Sequence, residues 1–365
     1  MRHGKILAVA LAAAISLAGC SSGGSTAGEE GLKQLTVSGI SSTTQYLPVY
    51  IAQQKGWFTD AGVEIEDVLF TSGPVQMESL SSDSWDLGLT GVGGVLAGAI
   101  RYDALIVSAS STDDAGQYVF VRKDSPVVAA GQGHNTLSPD IYGDAESWKG
   151  ANVLSSTGTT LQYTVIKMLN GFGLTKDDVN FIAMDGPTIY SSFLAGEGDA
   201  AALGNAEGAF TVLRMDEYVA AANGRNTDTG LMTNIMVNRN SYADEEKYEA
   251  MKLFMKVYFE SAQWISENPD EAAEYMLTFL EECGASADLQ TCQDRLSADQ
   301  YYTVEEAYTM ATENEEGQDI SVMEAALTDA LQFFVDSGNY QESDKEIFAN
   351  HVDTKLITDV YELMK

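Results

Sequence analysis

Basic residues are scarce in this chain: 20 lysines and arginines stand against 54 aspartates and glutamates, giving a formal charge of −34 over 365 residues. A surface of that sign repels phosphate backbones and anionic lipid headgroups, which removes nucleic acid and bare membrane surfaces from the candidate partners. The acids occur as pairs (Glu245-Glu246, Glu281-Glu282, Glu305-Glu306) rather than as one tail, the pattern of solvated helix faces. Histidine is rarer still, with three in all. His134 falls in a glycine-rich stretch and His351 near the C-terminus. There is no His-Glu-x-x-His, no phosphate loop and no Cys-x-x-Cys. Gly131-Gln132-Gly133-His134 lacks the strand-to-helix setting of a dinucleotide loop, and Asp113-Asp114, being adjacent, do not face each other on a regular element. The chain therefore reads as a binder, not an enzyme, with no cofactor and no metal.

Long apolar runs are equally few. The one at the start, Ile6 to Leu17, follows the basic residues Arg2 and Lys5 and is short for a membrane span. It ends in Leu17-Ala18-Gly19-Cys20, which resembles a bacterial lipobox. Residues 1–19 are expected to be a lipoprotein signal peptide, with Cys20 as the lipidation point and acyl chains as the only membrane attachment. Residues 20–34, rich in Ser and Gly, read as a flexible tether. Of the three cysteines, Cys283 and Cys292 then remain, an even pair in an oxidising compartment, and a disulfide between them is expected.

The rest of the chain resembles itself. Thr43, Gln45, Tyr46 and Gly56 match Thr160, Gln162, Tyr163 and Gly173 at one offset. Gly73-Pro74, Asp86 and Gly91 match Gly186-Pro187, Asp199 and Gly204 without a gap. Each block reads as strand, turn, helix, strand, turn, helix, strand. Leu35–Ile40 is a β-type run, Ser41–Thr44 supply hydroxyls at a helix start, and Tyr46, Leu47, Tyr50 and Ile51 recur at helical spacing with Pro48 in the first turn. Strands alternating with helices predict an α/β fold whose lobes leave a ligand cleft at the strand C-terminal edges. Farther on, Tyr248, Met251, Leu253, Phe254, Val257, Tyr258 and Trp264 form a helical apolar stripe, which reads as core.

The runs Tyr50–Phe58, Phe70–Pro74 and Trp85–Gly91 resemble the nitrate/sulfonate/taurine-type substrate-binding family of ABC importers, which also includes binders of a thiamine-precursor pyrimidine. Val121–Pro126, Trp148-Lys149-Gly150, Glu197–Ala200 and Phe333–Gly338 extend the resemblance over most of Leu35 to Lys365. It implies a type II periplasmic-binding-protein fold: two α/β lobes joined by two crossovers, near 119–123 and 235–240. Lobe one would be 35–120 plus 236–365, and lobe two 121–235. It also implies an extracytoplasmic, membrane-anchored monomer that captures a small organic solute and hands it to an ABC permease and its ATPase. A surface sensor or adhesin, and a thiamine-pyrimidine-synthase-like enzyme, are the alternatives.

In that family the ligand head sits at helix N-termini. Carried onto this sequence, lobe one offers Ser42, Thr43, Thr44, Gln45, Ser72, Gly73, Thr90 and Gly91. Lobe two offers Ser156, Thr157, Gly158, Thr159, Thr160, Asp185, Gly186 and Asn205. Tyr46 and Tyr163 either stack on a flat ligand or pack. Where relatives carry a bulky Trp-Asp-Pro-like stretch, this chain has Leu203-Gly204-Asn205-Ala206-Glu207. Asp113, Asp114, Asp185 and Glu207 fall near the expected cleft edges with few basic residues among them. A zwitterionic or a neutral aromatic ligand tolerates those carboxylates better than a bare sulfonate or nitrate.

Overall fold

The structure is a computed structural model; it describes residues 31–204 and 208–365. The predicted signal peptide, Cys20, most of the tether and Asn205 lie outside the described residues. The first strand starts at Lys33, two residues inside the expected tether.

Two five-stranded sheets carry the fold. The first contains β1 (Lys33–Ile40), β2 (Val63–Phe70), β3 (Leu87–Thr90) and β4 (Leu105–Thr112). Between β1 and β2 runs helix α1 (Leu47–Gln54), with Pro48 in its first turn where no N–H is needed. Helix α2 (Gly73–Glu78) precedes β3, and α3 (Val92–Tyr102) follows it. The second sheet contains β5 (Tyr118–Arg122), β6 (Asn152–Ser155), β7 (Asn180–Ala183), β8 (Ala200–Leu203) and β9 (Tyr218–Asn223). Helices α4 (Thr160–Asn170) and α5 (Gly186–Leu194) connect its parallel strands. Strand β10 (Met232–Val237) then returns to the first sheet.

The orders β2-β1-β3-β10-β4 and β7-β6-β8-β5-β9 are the same plan twice. In each, three parallel strands from one repeat are followed by an antiparallel strand contributed from across a crossover. Local chemistry repeats too: Gly56 (φ 76°) and Gly173 (φ 73°) both take the left-handed conformation just past a helix end.

The crossovers lie earlier than the sequence suggested. Strand β5 pairs with β8 and β9 along its whole length, so it belongs to the second sheet, and β10 belongs to the first. The chain passes between sheets at 113–117 and 224–231, not at 119–123 and 235–240. The alternating run Val119-Phe120-Val121 is fully buried sheet core, whereas the Asp- and Gly-bearing segments on either side make the turns. The two crossovers lie against each other. Asp113 N–H donates to the Leu231 carbonyl (2.8 Å), Gly224 N–H donates to that of Gln117 (2.9 Å), and a Cβ at Gly224 would collide with the Asp114 backbone.

The remaining chain packs helices on the first sheet: α6 (Glu245–Glu267), α7 (Pro269–Glu282), α8 (Leu289–Ala298) and α9 (Val322–Asp336) among them. Met251, Phe254, Val257 and Tyr258 of α6 are buried in the large core of this lobe; Tyr248, Leu253 and Trp264 flank it. The expected disulfide is absent. Cys283 and Cys292 are free thiols. Cys283 sits half-buried at the C-cap of α7 and Cys292 is wholly buried on α8, each packed against the core as a small apolar side chain. No helix among the described residues is long and apolar enough to cross a membrane.

Candidate functional site

Between the sheets lies a cavity of about 350 Å³ whose wall is drawn from both repeats. From the first come Thr43, Thr44, Gln45, Ser72, Gly73 and Gly91; from the second, Ser156, Thr157, Thr159, Thr160, Asp185 and Gly186. The matched positions Thr43 and Thr160, and Gly73 and Gly186, thus converge on one space although 117 and 113 residues separate them in sequence.

Three other expected residues lie just behind the wall. Ser42 is buried with a left-handed backbone (φ 61°), and this turn at the end of β1 carries Thr43 to the cavity. Its carbonyl accepts from the Arg295 guanidinium. The Thr90 hydroxyl is fully buried under Gly73 and Gly94, where a Cβ on either would strike it. Gly158 (φ 67°) supports the loop from below, its N–H donating to Gln162 Oε1 at 2.6 Å. Asn205 lies outside the described residues.

The hydroxyls do not cap the helices they precede. Thr43, Ser72 and Thr159 stand at N-cap positions without a side-chain cap, as does Gly91. Elsewhere Ser125, Asp144, Asp244, Asp288, Thr303 and Ser321 all accept from a backbone N–H of their own helix. The cleft hydroxyls spend their protons otherwise. Thr43 donates to the Ile40 carbonyl (2.7 Å), Thr44 to Asp299, and Thr160 to Asp113 Oδ2 (2.8 Å). Residues from the C-terminal helices and loops hold this wall: Tyr301 Oη donates to the Thr44 carbonyl at 2.6 Å and Tyr258 Oη to that of Gln45 at 3.3 Å.

Asp113 and Gln117, on the first crossover, also line the cavity, as do Ile40, Thr112, Leu161, Met184 and Thr233 among others. Sequence reasoning placed Asp113 near an edge, but nothing local marks it as a wall residue, because its neighbours arrive from β10 and α4. Gln117 Nε2 donates to Asp113 Oδ1 at 3.0 Å. Loss of water pushes the Asp113 carboxyl up to about 7; the charges of Asp299 and Asp114 add to this and the bonds from Thr160 and Gln117 oppose it. Asp185 is held below the usual range, chiefly by the backbone N–H of Thr188.

Both tyrosines pack. Tyr46 is buried against Phe279, with its hydroxyl on Asp67 at 2.5 Å. Tyr163 meets Phe333 edge-on at 4.2 Å, so a residue of α4 is anchored on α9 of the other lobe. The histidines lie elsewhere. His351 bonds Asp103 (2.9 Å) and the Ile347 carbonyl (2.7 Å), and His134 is exposed.

Comparison with known proteins agrees with this architecture. The NMT1-like family description matches residues 28–280. A Brachyspira hyodysenteriae protein named as an ABC transporter periplasmic binding protein is 26% identical over 81% of this chain and 81% of its own length. A Bacillus subtilis protein named for binding aliphatic sulfonates is 27% identical over 75% of this chain and 77% of its own. Among solved structures, the nitrate-binding protein of Synechocystis superposes with a TM-score of 0.68 at 13% identity, covering 92% of this chain and 89% of that one. The aliphatic sulphonate binding protein of Escherichia coli superposes at 0.66 and 15% identity, covering 89% and 99%. The fold is that of periplasmic binding proteins.

Proposed function

This chain belongs to the NMT1-like family, and on that premise we propose that it is the extracytoplasmic solute-binding component of an ABC importer, capturing a small organic solute between its two lobes. One observation carries the reading. A cavity of about 350 Å³, the size of a small metabolite's pocket, is lined by hydroxyls and glycines from both copies of an internal repeat. A solute that touches both lobes favours their closed arrangement over any open one, and a permease can recognise that difference. Thr43, Thr44 and Gln45 would contact the solute from one side, and Ser156, Thr159 and Thr160 from the other. The protein would act as a monomer, be held at the membrane through acyl chains on Cys20, and deliver to a permease driven by its ATPase. It would bind its solute without transforming it.

A thermal-shift screen of the soluble chain against sulfonates, taurine, nitrate, pyrimidines and amino acids tests the reading. A ligand at a hundredfold its Kd adds about 2.7 kcal/mol to stability, so a true solute is expected to raise the melting temperature by several degrees. No stabilisation by any solute, with unchanged uptake in cells lacking the protein, would contradict it. For the anchor, Cys20→Ser is expected to move the protein from the detergent to the aqueous phase; equal partitioning of wild type and variant would refute lipidation.

A further inference from the structure

The lining of the cleft has a chemical bias. Among the described lining residues the charged ones are Asp113 and Asp185, and none is Lys, Arg or His. An oxyanion is ordinarily welcomed by helix N-termini, whose free N–H groups and dipole attract negative charge. Here three of the helices that begin at the cleft have a carboxylate beside their first turn. Asp185 caps α5. Asp113 lies beside the starts of the other two without capping them: the hydroxyl of Thr160, the first residue of α4, donates to Asp113 Oδ2 at 2.8 Å, and a Cβ on Gly91, the N-cap of α3, would lie 2.8 Å from the same oxygen. Asp299 and Asp114 lie nearby as well, with Arg225 3.8 Å from Asp114 and the Arg295 guanidinium on the Ser42 carbonyl behind the wall.

The neutral groups lean the same way. Thr43, Thr44 and Thr160 point their hydroxyl protons at internal acceptors, so what they can still offer a solute is lone pairs. Gln45, 5% exposed on the same wall, has a side-chain oxygen with no partner. A sulfonate or nitrate group only accepts hydrogen bonds, so at Thr43, Thr44, Thr160 and Asp113 it would meet acceptors and like charge. A group that donates, and is positive, meets what the wall presents.

Resting on the solute-binding reading above, we propose that the solute carries a cationic N–H donor, an ammonium or amidinium, and that Asp113 is the residue that selects it and excludes bare oxyanions. The carboxylate takes the place an anionic headgroup would otherwise hold between the starts of α3 and α4, and turns an anion pocket into a cation pocket.

Titration calorimetry of the soluble chain with matched pairs tests this: taurine against ethanesulfonate, β-alanine against propanoate, benzamidine against benzoate, with nitrate alone. At least one donor-bearing member is expected to bind at least tenfold more tightly than its donor-free partner. Asp113→Asn, which keeps the shape and an acceptor oxygen, is expected to cut that preference to less than threefold. Asp113→Ser, checked for a single cooperative melting transition, guards against a merely misfolded variant. If ethanesulfonate or nitrate binds wild type as well as the amines do, the inference is overturned while solute binding stands. A preference for the amine that Asp113→Asn leaves intact overturns the role of Asp113. Absence of binding by every probe, in wild type and variants alike, overturns this inference and removes support from the solute-binding reading as well.

Discussion

Asp113 concentrates the consequences of the site at the scale of one residue. Its carboxyl titrates near 7 instead of an ordinary 3.8, so the folded empty protein holds a proton there that the unfolded chain has lost. Stability from this group is full below about pH 4, falls as pH rises towards 7, and is level above. At about 1.36 kcal/mol per pH unit a fully dehydrated group would forfeit about 4 kcal/mol; with one side on the cleft, about 1–3 kcal/mol is expected. Chemical denaturation of wild type and Asp113→Asn from pH 4 to pH 8 should show the variant free of that loss, and parallel curves would remove the carboxyl from the energetics. Affinity for an ammonium probe moves the other way. It should rise through pH 7 as the carboxylate forms, by up to about tenfold per unit below the pKa, and stay flat in the variant. The cysteines give a second test. In a Cys20→Ser chain, a chromogenic thiol reagent is expected to titrate half-buried Cys283 in the native protein and buried Cys292 only after unfolding.

Among the elements, the tightest meeting of the lobes is at the start of α3, where a Cβ on Gly93 would run into the carbonyl oxygen of Gly158. Alanine favours a helix over glycine by about 1 kcal/mol, while forced contact in a packed interface costs about 1–3 kcal/mol. Gly93→Ala should therefore weaken solute binding by roughly five- to a hundredfold while leaving the empty protein as stable or slightly more so, provided the empty lobes part. Loss of stability with normal affinity would show that the contact persists without ligand. Much at this scale was legible in the sequence. The left-handed glycines at 56 and 173, the Gly-Pro helix starts and the Ser/Thr clusters are local chemistry, and so the repeat and the two half-walls could be read directly. What local signals do not encode was missed. Thr90 resembles Ser72 as a residue before a helix, yet the close approach of Gly73 and Gly94 seals it under the wall. Asp113 acquires its distant neighbours only when Leu231, just ahead of β10, and Thr160 of α4 come up against the first crossover. The crossover positions erred because Val119–Val121 and Ile235–Val237 look alike as apolar runs, and pairing partners alone decide which sheet each joins.

For the molecule as a whole, the lobes also touch outside the cleft lining. Tyr163 packs on Phe333, and Arg214, in the second lobe, pairs with Asp288 at 2.8 Å and Asp294 at 3.5 Å on the first. Exposed ion pairs of this kind contribute about 0–1 kcal/mol each, so closure would rest chiefly on the solute bridging both walls. The most direct measurement is calorimetric affinity, for the solute found by screening, of two variants that strip hydroxyls from one wall at a time: Thr43→Ala with Thr44→Ala, and Thr159→Ala with Thr160→Ala. None of the four caps its helix through a side-chain bond, but Thr43, Thr44 and Thr160 each give up an internal hydrogen bond, so the empty proteins are expected to lose about 0.5–3 kcal/mol of stability, read separately by melting without ligand. Each lost hydrogen bond is worth about 0.5–1.5 kcal/mol, so either pair should weaken binding about ten- to a hundredfold. Wild-type affinity in both variants would place the solute somewhere other than between the lobes and contradict the proposed site.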